Sequence, residues 1–82
     1  MSATAGYRVT VDGGGATTTK VDLPDLATDG PRINDSVFVK GWAAPRVVVV
    51  VDHEHRTAGL ATHLGVGVQM RAPWADLSWT AP

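Results

Sequence analysis

Asp52-His53-Glu54-His55, with His63 a short way downstream, is the one part of this chain whose residue types suggest chemistry. In an extended segment His53 and His55 point to the same face. A hairpin centred on Ala58 would set His63 opposite His53. Three imidazoles on one face are enough for a zinc site with an open position. The position beside a turn and the lack of any obvious group to orient the rings argue the other way. The better reading is a polar hairpin end in which the histidines sit in water beside Arg56. A pH-sensitive surface is the better functional version, because imidazole changes charge near pH of about 6.5. His53, His55 and His63 therefore stand as weak metal candidates, and no cofactor is expected.

Other catalytic patterns are weaker. Gly13-Gly14-Gly15 is followed by neither G-K-[ST] nor a helix start, so it is not a phosphate-binding loop. Ser2, Ser36 and Ser78 have no nucleophile-elbow context. Asp52 and Glu54 share a face, but a chain of 82 residues has little room for an enclosed pocket that would shift their pKa values. An enzyme is not expected.

Composition sets the frame in which such residues must be positioned. The length suits one small domain near the size at which a lone core is marginal. There is no cysteine, so no disulfide or thiolate chemistry is available. Seven basic residues stand against eight acidic ones, for a formal charge of −1. That balance makes nucleic acid an unlikely partner, since such binding depends on a basic patch. No apolar run approaches the roughly 18 residues that span a bilayer, so no membrane segment is expected. Met1 to Tyr7 lacks the basic-then-apolar pattern of a signal peptide, so a cytoplasmic location is the default.

The elements are short strands. No segment keeps an i, i+3, i+4 apolar pattern over three turns, and Gly, Pro, Asn and Asp recur as turn signals. Tyr7–Val11 alternates apolar and polar, Asp12–Gly15 is a turn, and Thr17–Leu23 is a second strand, so residues 1–31 form an N-terminal arm or hairpin. Pro24–Pro31 reads as a loop. Residues 32–82 form the rest of the unit: a strand over Ser36–Lys40, a strand through the valine run Val47–Val51, a hairpin leading to Met70, a helical turn opened by Pro73, and a last short strand at Leu77–Thr80. Five β-branched residues in a row make the valine strand the firmest element.

Alternation gives that strand two apolar faces. With Gly59 in the left-handed position of a three-residue loop, Val48 and Val50 meet Val68 and Val66, and this layer is the expected core. On the other face Val49 meets Gly67 and Val51 meets Gly65. Val47, Val49, Val51, Gly65 and Gly67 then make a strip without bulky cover, and glycine inside a strand often marks the close approach of another backbone. This strip is the expected interface, covered by the arm or by another chain.

From Ile33-Asn34-Asp35-Ser36-Val37-Phe38-Val39-Lys40-Gly41 onward, through the long valine strand, the hairpin to Met70 and the turn Trp74-Ala75-Asp76-Leu77, the element order resembles the SH3-like small barrels of the KOW and Tudor type. The resemblance covers roughly the last fifty residues and has no counterpart for the first thirty. It implies an all-β fold, a small SH3-like barrel or sandwich carrying an N-terminal β-hairpin or arm. It also implies a binding module for peptides, RNA or partner subunits. A Tudor-type aromatic cage is not matched, since the three tryptophans have only one Tyr and one Phe beside them.

Tryptophan is enriched at interface hot spots. Trp42, in a Gly/Pro loop, and Trp79, near the last strand, are the expected anchors, although at least one tryptophan is expected to plug the core. The function expected is therefore structural: a small β module docking on identical or different protein subunits. Its most concrete form is a bacteriophage virion accessory protein, for capsid decoration or the head–tail region. A monomeric peptide- or nucleic-acid-binding module and a small histidine-based metal protein are the alternatives.

Overall fold

Strands form where β-branched residues alternate, and they stop at the Gly, Asp and Pro positions that punctuate them. In the computed structural model, which describes residues 4–81, the elements are β1 (Thr4–Asp12), β2 (Gly15–Leu23), β3 (Ser36–Val39), β4 (Arg46–Asp52), β5 (Thr57–Ala61), β6 (Met70–Pro73), a 3₁₀ turn (Trp74–Asp76) and β7 (Leu77–Ser78). Residues 1–3 of the expected arm and residue 82 lie outside the described residues. The fold is all-β. β1 and β2 form a two-stranded ribbon, and the other strands form an antiparallel sheet in the order β6-β5-β4-β3-β7.

The sheet is open in its hydrogen bonding, because β6 and β7 are its two edges and no ladder joins them among the described residues. A flat sheet of this size would hold its edges about 19 Å apart. The four steps from Pro73 to Leu77 span at most about 14 Å, so the sheet must curl. Pro73 precedes the 3₁₀ turn in extended conformation, as its fixed φ allows, and Trp74 inside the turn is buried. Its indole N–H donates to the Thr57 carbonyl at 3.0 Å and its backbone N–H to the Arg56 carbonyl at 2.9 Å, tying the turn to the start of β5.

The core gathers Leu26, Val37, Val39, Val48, Ala58, Leu60, Ala72, Trp74 and Leu77, with Val51, Met70 and Trp79 packed at its margin. Leu26 comes from the loop after the ribbon, where Asp25 starts a single helical turn. The Asp25 side chain accepts the Ala27 N–H, and its carbonyl accepts the Asp29 N–H. Gly30 ends that turn at φ 74°, and a Cβ there would lie 2.6 Å from the Trp74 ring, so both backbone and space require glycine.

The valine strand is present, but its hairpin differs from the expected one. The turn is at residues 53–56, and β4 pairs with β5 as Val47↔Ala61, Val48↔Leu60, Val50↔Gly59, Val51↔Ala58 and Asp52↔Thr57. The left-handed residue is Arg56, at φ 53°, and not Gly59. Gly59 serves a different need: a Cβ there would sit 2.8 Å from a Val68 methyl and 3.2 Å from Val50 Cβ. The expected pairs Val50–Val66 and Val48–Val68 are therefore absent, and Val66 and Val68 lie in the connection 62–69. That connection folds back on β5 through the Gln69 N–H to the Leu60 carbonyl and the Thr62 N–H to the Gln69 side chain, both at 2.8 Å.

A register shift between Val48 and Val50 completes the difference. A bulge adds one residue to one strand and reverses the facing of everything beyond it. Val48 and Val51 consequently both meet the core, whereas simple alternation would put them on opposite faces. Val50, expected in the core, is instead exposed.

Candidate functional site

The ribbon and the sheet meet around a buried carboxylate. Asp35 is 1% exposed and precedes β3. Arg8, inward-facing on β1, sets Nη2 3.2 Å from Asp35 Oδ2 and Nε 3.0 Å from Oδ1. The Nε–H is not aimed at its neighbour, so charge attraction holds that side of the pair while Nη2 makes the directed bond. Asp35 Oδ2 also accepts the Arg32 backbone N–H at 2.8 Å. A buried ion pair of this kind contributes little net stability, yet removing one partner is costly because it strands the other charge.

Backbone bonds run through the same point. The Val11 N–H donates to the Asn34 carbonyl at 2.8 Å, and Thr10 bridges Asp35. Asn34 takes a left-handed conformation, φ 75°, which asparagine tolerates better than most residues. Its N–H donates to the Val48 carbonyl at 2.7 Å, and the Val48 N–H donates to the Asp35 carbonyl at 2.9 Å. The ribbon is thereby fastened to the central strand β4. Trp79 adds a second fastening: the Arg8 guanidinium lies 5.2 Å from its ring centroid, and its indole N–H donates to the Pro24 carbonyl at 3.0 Å.

Two concavities adjoin this junction. One, of about 650 Å³, is lined by Arg8, Arg32, Ile33, Val51 and His53 together with the Pro24 and Asp29–Pro31 loop. The other, of about 550 Å³, is more apolar and lies between Gly6, Tyr7, Val9 and Leu23 on the ribbon and Ser78–Thr80 at the end of β7. Tyr7, on its rim, is 61% exposed.

Beyond the junction the ribbon has no core behind it. β1 is half-buried at Gly6 and from Arg8 to Val11, with Tyr7 exposed between them, while β2 is exposed from Gly15 to Lys20 and becomes buried only at Leu23. The pairing runs without a shift from Thr4↔Leu23 to Asp12↔Gly15 and turns through Gly13-Gly14. The Asp12 carboxylate accepts the Gly14 N–H at 2.8 Å in that turn.

The residues expected at an interface are scattered. Val47 is buried, Val49 is half-buried at the bulge, and Val51 packs at the core margin. Gly65, at φ 88°, and Gly67 are exposed in the 62–69 connection with nothing above them, so they do not oppose the valines. The strip of valines facing glycines therefore does not form. Trp42 is 51% exposed, with the Arg46 guanidinium 5.3 Å from its ring centroid. Trp79 is half-buried in the ribbon junction. Trp74 is the tryptophan that plugs the core.

The histidines also part company. His53 packs edge-on against Trp74, with centroids 5.3 Å apart. His55 Nδ1 lies 2.9 Å from Asp52, and His63 Nδ1 lies 3.0 Å from the Thr62 hydroxyl. Among the described residues no three His, Cys, Asp or Glu side chains gather as a metal site. The Asp52 carboxylate caps the 53–56 turn, accepting the His55 backbone N–H and facing its ring. Those two bonds hold its pKa below the usual 3.8, the backbone bond contributing most.

The junction has no local signature in the sequence. Arg8 and Asp35 lie far apart in the chain, and only the identity of a lone acidic residue beside a strand start hinted at it. No protein-family model matches this chain, and no curated protein or solved structure matches it either.

Proposed function

We propose that this chain is a non-enzymatic structural protein that docks on other protein subunits through its N-terminal ribbon, most concretely as a bacteriophage virion accessory protein. The observation that carries the reading is β2, a nine-residue strand whose outer edge is unpaired among the described residues, with no core behind most of it. Two-stranded ribbons are marginal by themselves, and unpaired edges invite another chain. A buried ion pair and a cation–π contact nevertheless hold this ribbon in a fixed pose, as suits an element that must meet a partner. A small, cysteine-free, nearly neutral β module of this form suits a repeating shell.

The body is proposed to be an SH3-like module of the KOW and Tudor type. The strand order and the 3₁₀ turn between the last two strands support this, with a sheet that curls without closing. The exposed Trp42 beside Arg46 favours a second reading, a monomeric peptide-binding module. Mass spectrometry of gradient-purified particles made from the encoding genome separates the two. The assembly reading expects the chain at a fixed ratio to the shell protein, and its absence from particles overturns that reading.

A further inference from the structure

The outer edge of β2 can be read atom by atom. The Val11 N–H points away from β2, to Asn34. Inward and outward amides alternate along an antiparallel strand, so the outward positions of β1 are Ala5, Tyr7, Val9 and Val11. These oppose Asp22, Lys20, Thr18 and Ala16. The N–H and C=O groups of Ala16, Thr18, Lys20 and Asp22 therefore point outward, along an edge that pairs with nothing among the described residues.

We propose that this edge is a homotypic interface, at which β2 pairs antiparallel with β2 of a second copy about a two-fold axis at Thr19. The proposal rests on the assembly reading and names the first partner. In this register Ala16 meets Asp22 of the second copy and Thr18 meets its Lys20, with the reverse pairs generated by symmetry. Each pair exchanges both hydrogen bonds, so every outward group on both edges is satisfied. Neither charged residue meets its own kind directly, whereas an axis at Lys20 would set two ammonium groups opposite each other.

The contrast with the two edges of the five-stranded sheet supports a partner here. β6 is four residues long and ends in Pro73, and β7 is two residues long. Short edges and proline are the usual protections against pairing. β2 is nine residues long, contains no proline or register shift, and carries one lysine. An isologous pair is also the commonest way for identical chains to associate.

Size-exclusion chromatography with light scattering on the full chain should give a dimer. Thr18→Pro removes one outward N–H without touching the β1–β2 ladder, so it should yield a monomer. Should proline distort the ribbon, Thr18→Lys serves instead. It sets lysine against Lys20 of the second copy twice and should raise the dissociation constant about two- to thirty-fold. The absence of cysteine allows a direct check of register. Thr19→Cys, a non-hydrogen-bonded position on the axis, should cross-link on oxidation, while Thr17→Cys, which faces Val21, should not.

A wild-type chain that stays monomeric at every concentration overturns the proposal, and so does a dimer indifferent to Thr18→Lys. A monomer still found in particles would remove self-pairing and leave the assembly reading standing. Absence from particles removes that reading whatever the association state.

Discussion

The sheet and the ribbon use the same β-branched vocabulary to opposite ends. In the sheet, Val37, Val39 and Val48 disappear into a shared core, and both edges are short. In the ribbon, threonines fill β2, nearly every side chain of it meets water, and the edge is long and unguarded. The sheet can therefore hold itself together by burial, whereas the ribbon depends on its junction with the sheet. Stability and association should respond to mutation in different places.

The junction gives the largest expected effect. Asp35→Ala strands the largely buried Arg8 charge and should cost about 3–5 kcal/mol in chemical denaturation. Hydrogen exchange at the Val11 amide should accelerate more than at core amides of β5. Equal acceleration at both would show that ribbon and sheet unfold as one unit. Leu60→Ala empties the centre of the sheet and should cost about 2–5 kcal/mol, lowering the thermal midpoint of the whole chain. A loss below that range would mean the core collapses around the gap.

Acid offers a milder probe of the sheet's own turn. Asp52 has a lowered folded pKa, so its stabilising effect is complete above the unfolded value and is lost as pH falls through the folded one. Asp52→Asn should therefore flatten part of the acid limb of the stability curve below the usual carboxylate pKa of about 3.9. An unchanged acid limb would remove the carboxylate from the account of the turn. Thr18→Ala should be the quietest, within about 0.5 kcal/mol, because its side chain is exposed. A larger loss measured on the monomer would show that the ribbon is more tightly packed than its exposure indicates.

Much of this architecture is legible in the residues, and the exceptions have physical causes. Tyr7–Val11, the Gly13-Gly14 turn, the valine strand and the 3₁₀ turn after Pro73 follow from local propensity, which acts within a few residues. The β4–β5 hairpin misleads because glycine answers two different demands. At Gly59 the demand is space beneath Val68, while Arg56 adopts the left-handed conformation a turn glycine would have supplied. The bulge leaves no mark in five identical valines, so the faces of Val50 and Val51 cannot be assigned from alternation. Arg8 and Asp35 meet only because the ribbon folds back over the sheet. Leu26 reads as a loop residue, and it enters the core through a helical turn set by Asp25.

The hydrogen bonds that run from Val11 through Asn34 to Val48 also define a path for mechanical load. A pull on the ribbon passes sideways into β4, which has a neighbouring strand on each side. Force entering there is shared by two ladders, where an attachment at β6 or β7 would peel the sheet from its edge one bond at a time. A tether rooted at the centre of the sheet can be tugged without unzipping the module that carries it.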